Sequence, residues 1–185
     1  MKIVSVNIGK KREVLLKGKI IETGIYKTQV NQAIFLDENH VKGDTIVDRV
    51  HHGGINQAVY GYSMKHYNFW QKKYDFVKTN FGLFGENITF DCLDETKIYV
   101  GNVYQCGEVV IEATEPRQPC FKLGLVFKTQ KIVKEFWNST KSGVYFKVLQ
   151  KGSVQAGDEF VLVKEAKENP TIAEVYSNYR KKKSE

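Results

Sequence analysis

The chain of 185 residues is long enough for one domain with a sizeable core, and 42% hydrophobic against 26% charged residues excludes disordered and fibrous classes. It has no apolar stretch long enough for a signal peptide or for the roughly 20 residues of a membrane span, so we expect a cytoplasmic protein without membrane contact. The net charge of +7 suits an anionic ligand, whereas aromatic residues at core periodicities, outside any RNA-reading motif, argue against nucleic acid.

Short β-rich segments separated by Gly, Asn and Asp fill most of the chain. Such segments favour a barrel or a sandwich, because closure hides the edges of strands. We predict a mainly β fold, a closed or partly closed β-barrel with a few peripheral helices. The predicted strands are residues 2–6, 14–26, 33–36, 58–62, 88–90, 97–104, 109–113, 144–149 and 160–163.

Three helices are predicted by apolar residues at helical spacing. The first begins at the candidate N-cap Ser63 and runs to about Thr79, and the second covers 128–138. The third has Asn169 as its cap and Pro170 in its first turn. This last helix places a boundary near residue 165, between a β-domain, 1–165, and a C-terminal helix with a basic tail, 166–185.

The segment EPRQPCFKL, residues 115–123, is the strongest candidate for chemistry. Two prolines flank Arg117 and stiffen the backbone, so Cys120 is presented from a rigid loop. Arg117 and Lys122 raise the local positive potential, which favours a thiolate and an anionic ligand. Three cysteines without a CxxC pair predict neither a disulfide framework nor a zinc site. We interpret Cys92 and Cys106 as small buried hydrophobic residues.

Three further segments offer groups to a ligand. In HHGGINQAVY, residues 51–60, the Gly-Gly pair allows close backbone approach, and His52 is the imidazole that we expect at the site; the alternative is a structural turn with solvated histidines. In GLFGENIT, residues 82–89, backbone N–H groups and the Asn87 amide suit a phosphate or a pterin. The alternative is a turn in which Glu86 and Asn87 bind the backbone. In TGIYKT, Lys27 is either a phosphate ligand or an exposed strand-end lysine.

The motifs GIYK, VHHGG with QAVYGY, FGEN and PRQPC, in this order, resemble the MOSC domain family, especially its stand-alone bacterial members. The resemblance covers about residues 20–163. The family is named for the C-terminal domain of molybdenum cofactor sulfurases, and similar domains occur in enzymes that reduce N-hydroxylated compounds and amidoximes. The resemblance implies a β-barrel with peripheral helices and a bound molybdenum cofactor (molybdopterin). Pyridoxal phosphate is not expected, because in the sulfurase it belongs to another domain.

The resemblance also assigns roles to particular residues. Cys120 becomes the molybdenum ligand or a sulfur carrier. If the protein is a reductase, we expect His52 or a nearby acid to deliver protons. The residues that the resemblance places around the cofactor are Lys27, His52, Tyr62, Asn87, Arg117 and Cys120.

Two departures from the family pattern stand out. Gly101-Asn102 replaces the usual Gly-Asp, which affects a turn. Only one helix fits after residue 169, where the stand-alone proteins end in three. The shortened region weakens any expectation that a redox partner docks on those helices.

Three functions follow. The first is a reductase of N-hydroxylated bases and amidoximes, with electrons from a partner protein because the chain has no GxGxxG fingerprint and too few cysteines for an iron–sulfur cluster. The second is a carrier of persulfide sulfur or of the cofactor, served by a sulfur-donor enzyme. The third is a basic β-barrel module that binds an anionic ligand. The sequence leaves the oligomeric state open.

Overall fold

The computed structural model describes residues 1–47, 53–77 and 80–184, and strands dominate it. The strands are β1 (Ile3–Gly9), β2 (Arg12–Leu16), β3 (Lys19–Thr23), β4 (Lys27–Val30), β5 (Ile34–Leu36), β6 (Val59–Ser63), β7 (Ile88–Phe90), β8 (Val103–Cys106), β9 (Val109–Pro116), β10 (Val144–Gln150), β11 (Gly152–Val154) and β12 (Val161–Lys164). The helices are α1 (Met64–Gln71), α2 (Phe121–Val126), α3 (Lys131–Ser139) and α4 (Ile172–Ser184). None of the described helices is long and apolar enough to cross a membrane.

Eight strands form one mixed sheet in the order β12-β8-β9-β10-β6-β7-β1-β4. Neighbours in it are antiparallel except β6 and β7, which run parallel. Two-stranded ribbons, β11 with β5 and β2 with β3, complete the β-structure. The mainly β prediction is therefore confirmed.

The predicted closure into a barrel is not confirmed, because the strand order is open. Within the described residues β12 and β4 stand at opposite ends of the sheet and do not pair with each other. The N-terminal chain instead bonds to the residues before β12, with Ile3 N donating to Asp158 O at 2.8 Å and Phe160 N to Met1 O at 2.9 Å. At the other end the loop around Gly82 lies against β4, so a loop covers this edge in place of a strand.

The buried side chains form two clusters. One lies on the large sheet and includes Ile3, Phe90, Ile111 and Phe146. The other is aromatic and lies under the helices, with the rings of Trp70 and Phe136 stacked at a centroid distance of 6.0 Å. Burying aromatic rings contributes a large part of core stability, so this second cluster holds the helices on the sheet.

Helix α1 starts as predicted and ends early. Ser63 Oγ accepts a hydrogen bond from Lys65 N at 3.3 Å, as an N-cap does. The helix ends at Gln71 instead of near residue 79, and turns follow. The turns bring the Tyr74 hydroxyl to Glu135 at 2.8 Å and the Phe76 ring to Phe127, contacts that a continued helix would redirect.

Helices α2 and α3 differ from the single helix predicted over 128–138. Lys128 has a φ of 54°, which breaks the helical path and delays the start of α3 to Lys131. Helix α2, directly after Cys120, was not predicted because six residues are too few to show helical periodicity.

The predicted cap of α4 was wrong. Thr171 and Glu174 form a capping box, in which Glu174 N donates to Thr171 Oγ1 at 3.2 Å and Thr171 N donates to Glu174 Oε2 at 2.7 Å. Asn169 instead donates from Nδ2 to Val100 O at 2.8 Å. Helix α4 packs on the β-structure, since Ile172 is buried in the sheet cluster. The boundary near residue 165 stays a prediction.

Several strand boundaries also differ from the prediction. The segment 14–26 divides into β2 and β3 around a tight turn at Lys17 and Gly18, both with positive φ. Strand β8 begins only at Val103 within the predicted 97–104. Strands β4 and β11 were not predicted, because they are short and carry no clear alternation of polar and apolar residues.

Gly82 marks the closest approach of a loop to β4. Its φ is +92°, and a Cβ there would lie 2.6 Å from the backbone oxygen of Lys27. Only glycine fits both constraints, so Gly82 fixes how the loop of residues 80–85 lies against Lys27.

We expect Gly82→Ala to destabilise the protein by clearly more than Gly18→Ala. Both positions have positive φ, which costs an alanine about 1–2 kcal/mol. Gly18 has open space around it, whereas at Gly82 a backbone oxygen must also move. Urea unfolding of both variants measures the difference. Equal losses of stability in the two variants would show that the close approach of Gly82 to the Lys27 oxygen does not contribute to the difference.

Candidate functional site

One cleft brings together four of the six residues that the sequence assigned to a site. Lys27, Asn87, Arg117 and Cys120 all line it, although they come from separate segments of the chain. It encloses about 110 Å³. Its other lining residues include Asp44, Gln57, Tyr60, Gly85, Lys122 and Tyr145.

A buried carboxylate organises the base of this cleft. Asp44, with 2% of its side chain exposed, pairs with the Lys27 ammonium through Oδ2. The same oxygen accepts from Asn87 Nδ2 at 3.0 Å, and Oδ1 accepts from Gly9 N at 2.7 Å. Burial lowers the pKa of Lys27, and the Asp44 charge opposes that shift. Lys27 is therefore held in place, not exposed at a strand end.

Asn87 is fixed from both ends of its amide. Its Oδ1 accepts from Tyr60 N at 3.2 Å, while its Nδ2 donates to Asp44. The amide therefore has one defined orientation at the wall of the cleft.

Glu86 takes the structural role expected for a turn in the glycine loop. Its carboxylate accepts from Gly82 N at 2.8 Å and Phe84 N at 3.2 Å, and also from the hydroxyls of Tyr67 and Thr89. Burial raises the pKa of Glu86, and these donors oppose the rise. Glu86 thus shapes the loop, which leaves Asn87 to face the cleft.

Arg117 supplies a buried positive charge. Only 6% of the residue is exposed, its Nη1 donates to Phe84 O, and its guanidinium lies over the rings of Tyr60 and Phe136 at 5.1 and 5.8 Å. Burial works against its charge, but Tyr60, Tyr145 and Cys120 raise the pKa of Arg117 above its ordinary value. Arg117 therefore stays charged beside the cleft.

Cys120 lies at the junction of the stiff loop and α2. It is the N-cap residue of this helix, with extended backbone, and it follows the buried Pro119. Its side chain does not cap the helix and is partly exposed at the cleft. Arg117 interacts electrostatically with this sulfur, and a positive charge nearby favours the thiolate.

Asp44 and Tyr145 are cleft residues that the sequence did not reveal. Arg117 interacts electrostatically with Tyr145, and the Tyr145 ring lies 5.1 Å from that of Tyr60. Burial raises the pKa of Tyr145, so its phenol is a protonated donor at neutral pH. Tyr145 was overlooked as an ordinary strand aromatic. Gly43-Asp44 offered only the signal of a turn.

Tyr62 does not line the described cleft. Tyr62 lies fully buried in the aromatic cluster, where its hydroxyl accepts from Trp70 Nε1 at 2.8 Å and its ring stacks on Phe84 at 4.6 Å. Tyr60, two residues earlier on β6, lines the cleft instead. His52 lies outside the described residues, as does His51. The segment resumes at Gly53, which borders the cleft.

The cleft has the donor set that a thiolate-bound, anionic metal cofactor needs. It offers one soft sulfur ligand, cationic groups on Lys27, Arg117 and Lys122, and the Asn87 amide. In the described ranges no three His, Cys, Asp or Glu side chains come together as a possible metal site, and Cys120 is the cysteine that lines this cleft.

Comparisons with known proteins show which proteins the chain is similar to. A family model for the MOSC domain matches residues 48–161. The uncharacterized protein YflK of Bacillus subtilis is 36% identical over 161 residues, which are 87% of this chain and 72% of YflK. A protein of Gibberella moniliformis named "Reductase" is 30% identical over 169 residues, but the match spans only 29% of its length. The crystal structure of YiiM from Geobacillus stearothermophilus superposes with a TM-score of 0.80 at 29% identity, covering 100% of this chain and 86% of that one.

We expect Asp44→Asn to cost about 3–5 kcal/mol at neutral pH, because it leaves the Lys27 charge buried and unpaired. The pKa of Lys27 is already lowered, and the substitution lowers it further. At pH values between the lowered pKa of Lys27 in the folded variant and its ordinary pKa in the unfolded chain, the unfolded chain binds more protons than the folded one. The free energy of unfolding of the variant therefore rises with pH in this range. The stability that Asp44→Asn loses relative to the wild type, measured by urea unfolding, should therefore become smaller from pH 6 to pH 9.

A double variant and an exposed pair provide the controls. Lys27→Met with Asp44→Leu should recover much of the loss, because no charge is then buried alone. Lys151→Met removes an exposed pair with Asp37 at 3.0 Å and should change little. A loss for Asp44→Asn as small as for Lys151→Met would contradict the organising role of the carboxylate.

Proposed function

The chain belongs to the MOSC domain family, and from that premise we propose that it binds a molybdenum–pterin cofactor through Cys120 and reduces N-hydroxylated compounds. The observation that carries the proposal is the convergence of Lys27, Asn87, Arg117 and Cys120 on one cleft. A relative named "Reductase" supports the type of reaction.

Different residues of the cleft bind different parts of the ligand. The Cys120 sulfur is the metal ligand, and the nearby Arg117 charge favours its thiolate form. Lys27 and Asn87, both anchored on Asp44, hold the anionic part of the ligand. Bound there, the cofactor supplies a metal centre that exchanges an oxygen atom and two electrons with a substrate. Because Asp44 orients both side chains before a ligand arrives, little ordering is needed on binding.

The reaction consumes two electrons and two protons. An N-hydroxylated amine, R–NHOH, becomes R–NH₂ and water, so the N–O bond breaks and both products gain a proton. The Tyr145 phenol and the Lys27 ammonium line the cleft and can donate protons. His52, our predicted donor, lies outside the described residues. Since the sequence has no GxGxxG fingerprint, an external donor protein supplies the electrons.

A sulfur carrier is the second candidate. The partial exposure of Cys120 at the cleft supports it, since a thiol that exchanges sulfur must be reached by a donor enzyme. In this case the positive surroundings would stabilise a persulfide anion, and no substrate would be reduced. Either candidate depends on the same sulfur atom.

We expect Cys120→Ser to abolish cofactor binding. Protein produced in cells that make the cofactor should contain molybdenum and release a fluorescent oxidised pterin, and the variant should contain neither. Cys106→Ser is the matched control, because burial raises the pKa of the Cys106 thiol and Cys106 does not line the cleft. Wild-type protein without metal and pterin would refute the cofactor, and a fully loaded Cys120→Ser variant would refute the ligand.

Cofactor-loaded protein with a chemical reductant, reduced methyl viologen, should convert N-hydroxylated purines to the aminopurines and amidoximes to the amidines, each with release of water. Chromatography of the products measures the turnover, and Cys120→Ser provides the blank. If loaded protein leaves both substrate types unchanged, the reductase proposal is wrong. Mass spectrometry after incubation with a cysteine desulfurase then tests the carrier, which requires a persulfide on Cys120.

A further inference from the structure

The positive charge of the chain is concentrated beside the cleft. The segment from Cys120 to Lys141 carries five lysines and one glutamate, out of a net charge of +7 for all 185 residues. Lys128, Lys131 and Lys134 are exposed. Within α3 the last two are three residues apart and so share one face, opposite the buried Ile132 and Phe136.

The single carboxylate of this segment does not neutralise it. Glu135 already accepts from the Tyr74 hydroxyl at 2.8 Å and pairs with Lys131 at 3.4 Å. Lys73, at the end of α1, also acts on Glu135 and adds its own charge to the same region. The exposed surface therefore remains strongly positive.

An exposed aromatic ring directly follows the cysteine that lines the cleft. Phe121 is 44% exposed and directly follows Cys120. Gln130 Nε2 donates to Phe121 O at 3.1 Å, which holds the start of α3 against the start of α2. Lys131 thus begins its helix beside Phe121. We name Phe121, Lys128, Lys131 and Lys134 the basic face.

An exposed aromatic residue with a charged surround has the composition of a protein interface, in which the ring fills a site on the partner and the charges steer association. A positive surround selects an acidic partner. The basic face also adjoins Cys120, the sulfur nearest to the proposed redox centre. Such a position shortens the path that an electron must travel from a bound partner.

We propose that the basic face docks a small acidic electron-transfer protein, of the flavodoxin or plant-type ferredoxin kind, with Phe121 as its apolar anchor. The inference rests on the proposed reductase function and names the donor that it requires. Two one-electron deliveries, or one two-electron delivery, balance each N–O bond that is broken.

Charge reversal tests the docking. The triple variant Lys128→Glu, Lys131→Glu and Lys134→Glu should weaken the binding of oxidised flavodoxin and ferredoxin by roughly tenfold or more at low ionic strength. It should raise the KM for the reduced carriers to the same extent. Turnover driven by reduced methyl viologen should not change, because that donor needs no docking surface. Binding by the wild type should weaken with added salt, and binding by the variant should depend on salt much less.

Two further variants make the result specific. Lys10→Glu, Lys19→Glu and Lys164→Glu change the net charge equally at exposed positions outside the basic face, and should weaken carrier binding far less. Phe121→Ala should weaken binding without changing its salt dependence. If the two charge-reversed triples behave alike, or if neither carrier binds the wild type, the proposal is overturned.

The outcomes separate this inference from the reductase function. If the wild type binds the carriers through the basic face but shows no turnover with methyl viologen, docking stands and the reductase function fails. If methyl viologen drives turnover and charge reversal leaves carrier binding unchanged, the function stands and the docking fails. Binding of anionic lipid vesicles or of a single-stranded oligonucleotide through the basic face, without carrier binding, would assign the face to those partners and overturn the proposal.

Discussion

The cleft depends on one buried carboxylate. Asp44 receives the Lys27 ammonium, the Asn87 amide and the Gly9 backbone N–H, and these three groups come from β4, from the loop before β7 and from the end of β1. A carboxylate in a buried position is costly unless it is fully paired, so its three donors must be in place together. The contacts that bring these distant chain segments together therefore also give the site its shape.

A second set of contacts fixes the opposite wall. Arg117 lies between the rings of Tyr60 and Phe136 and donates to Phe84 O, so the aromatic cluster under the helices holds the charge that faces Cys120. Pro119 is buried just before this sulfur. The helices thus matter to the site indirectly: they bury the rings that position a guanidinium, and their outer lysines form the basic face.

Local sequence features predicted what depends on local structure. Glycines and prolines around Lys27, Asn87, Arg117 and Cys120 identified four residues that do line one cleft. Asp44 and Tyr145 could not be found in this way, because their roles arise from partners far along the chain. Tyr60 and Tyr62 lie two residues apart on β6 and point to the same side, so the local pattern does not distinguish them. The structure does, because Tyr62 bonds to Trp70 and stacks on Phe84, while Tyr60 lines the cleft. The sequence also did not indicate that the loop around Gly82 covers the edge of β4, where a closed barrel would have another strand.

The central claim is that the Cys120 sulfur binds molybdenum in this cleft. X-ray absorption spectroscopy at the molybdenum edge tests it most directly, because it counts the sulfur atoms bound to the metal. We expect one sulfur ligand more than the pterin dithiolene supplies in the wild-type protein. A wild-type spectrum with no sulfur beyond those of the dithiolene would contradict the account.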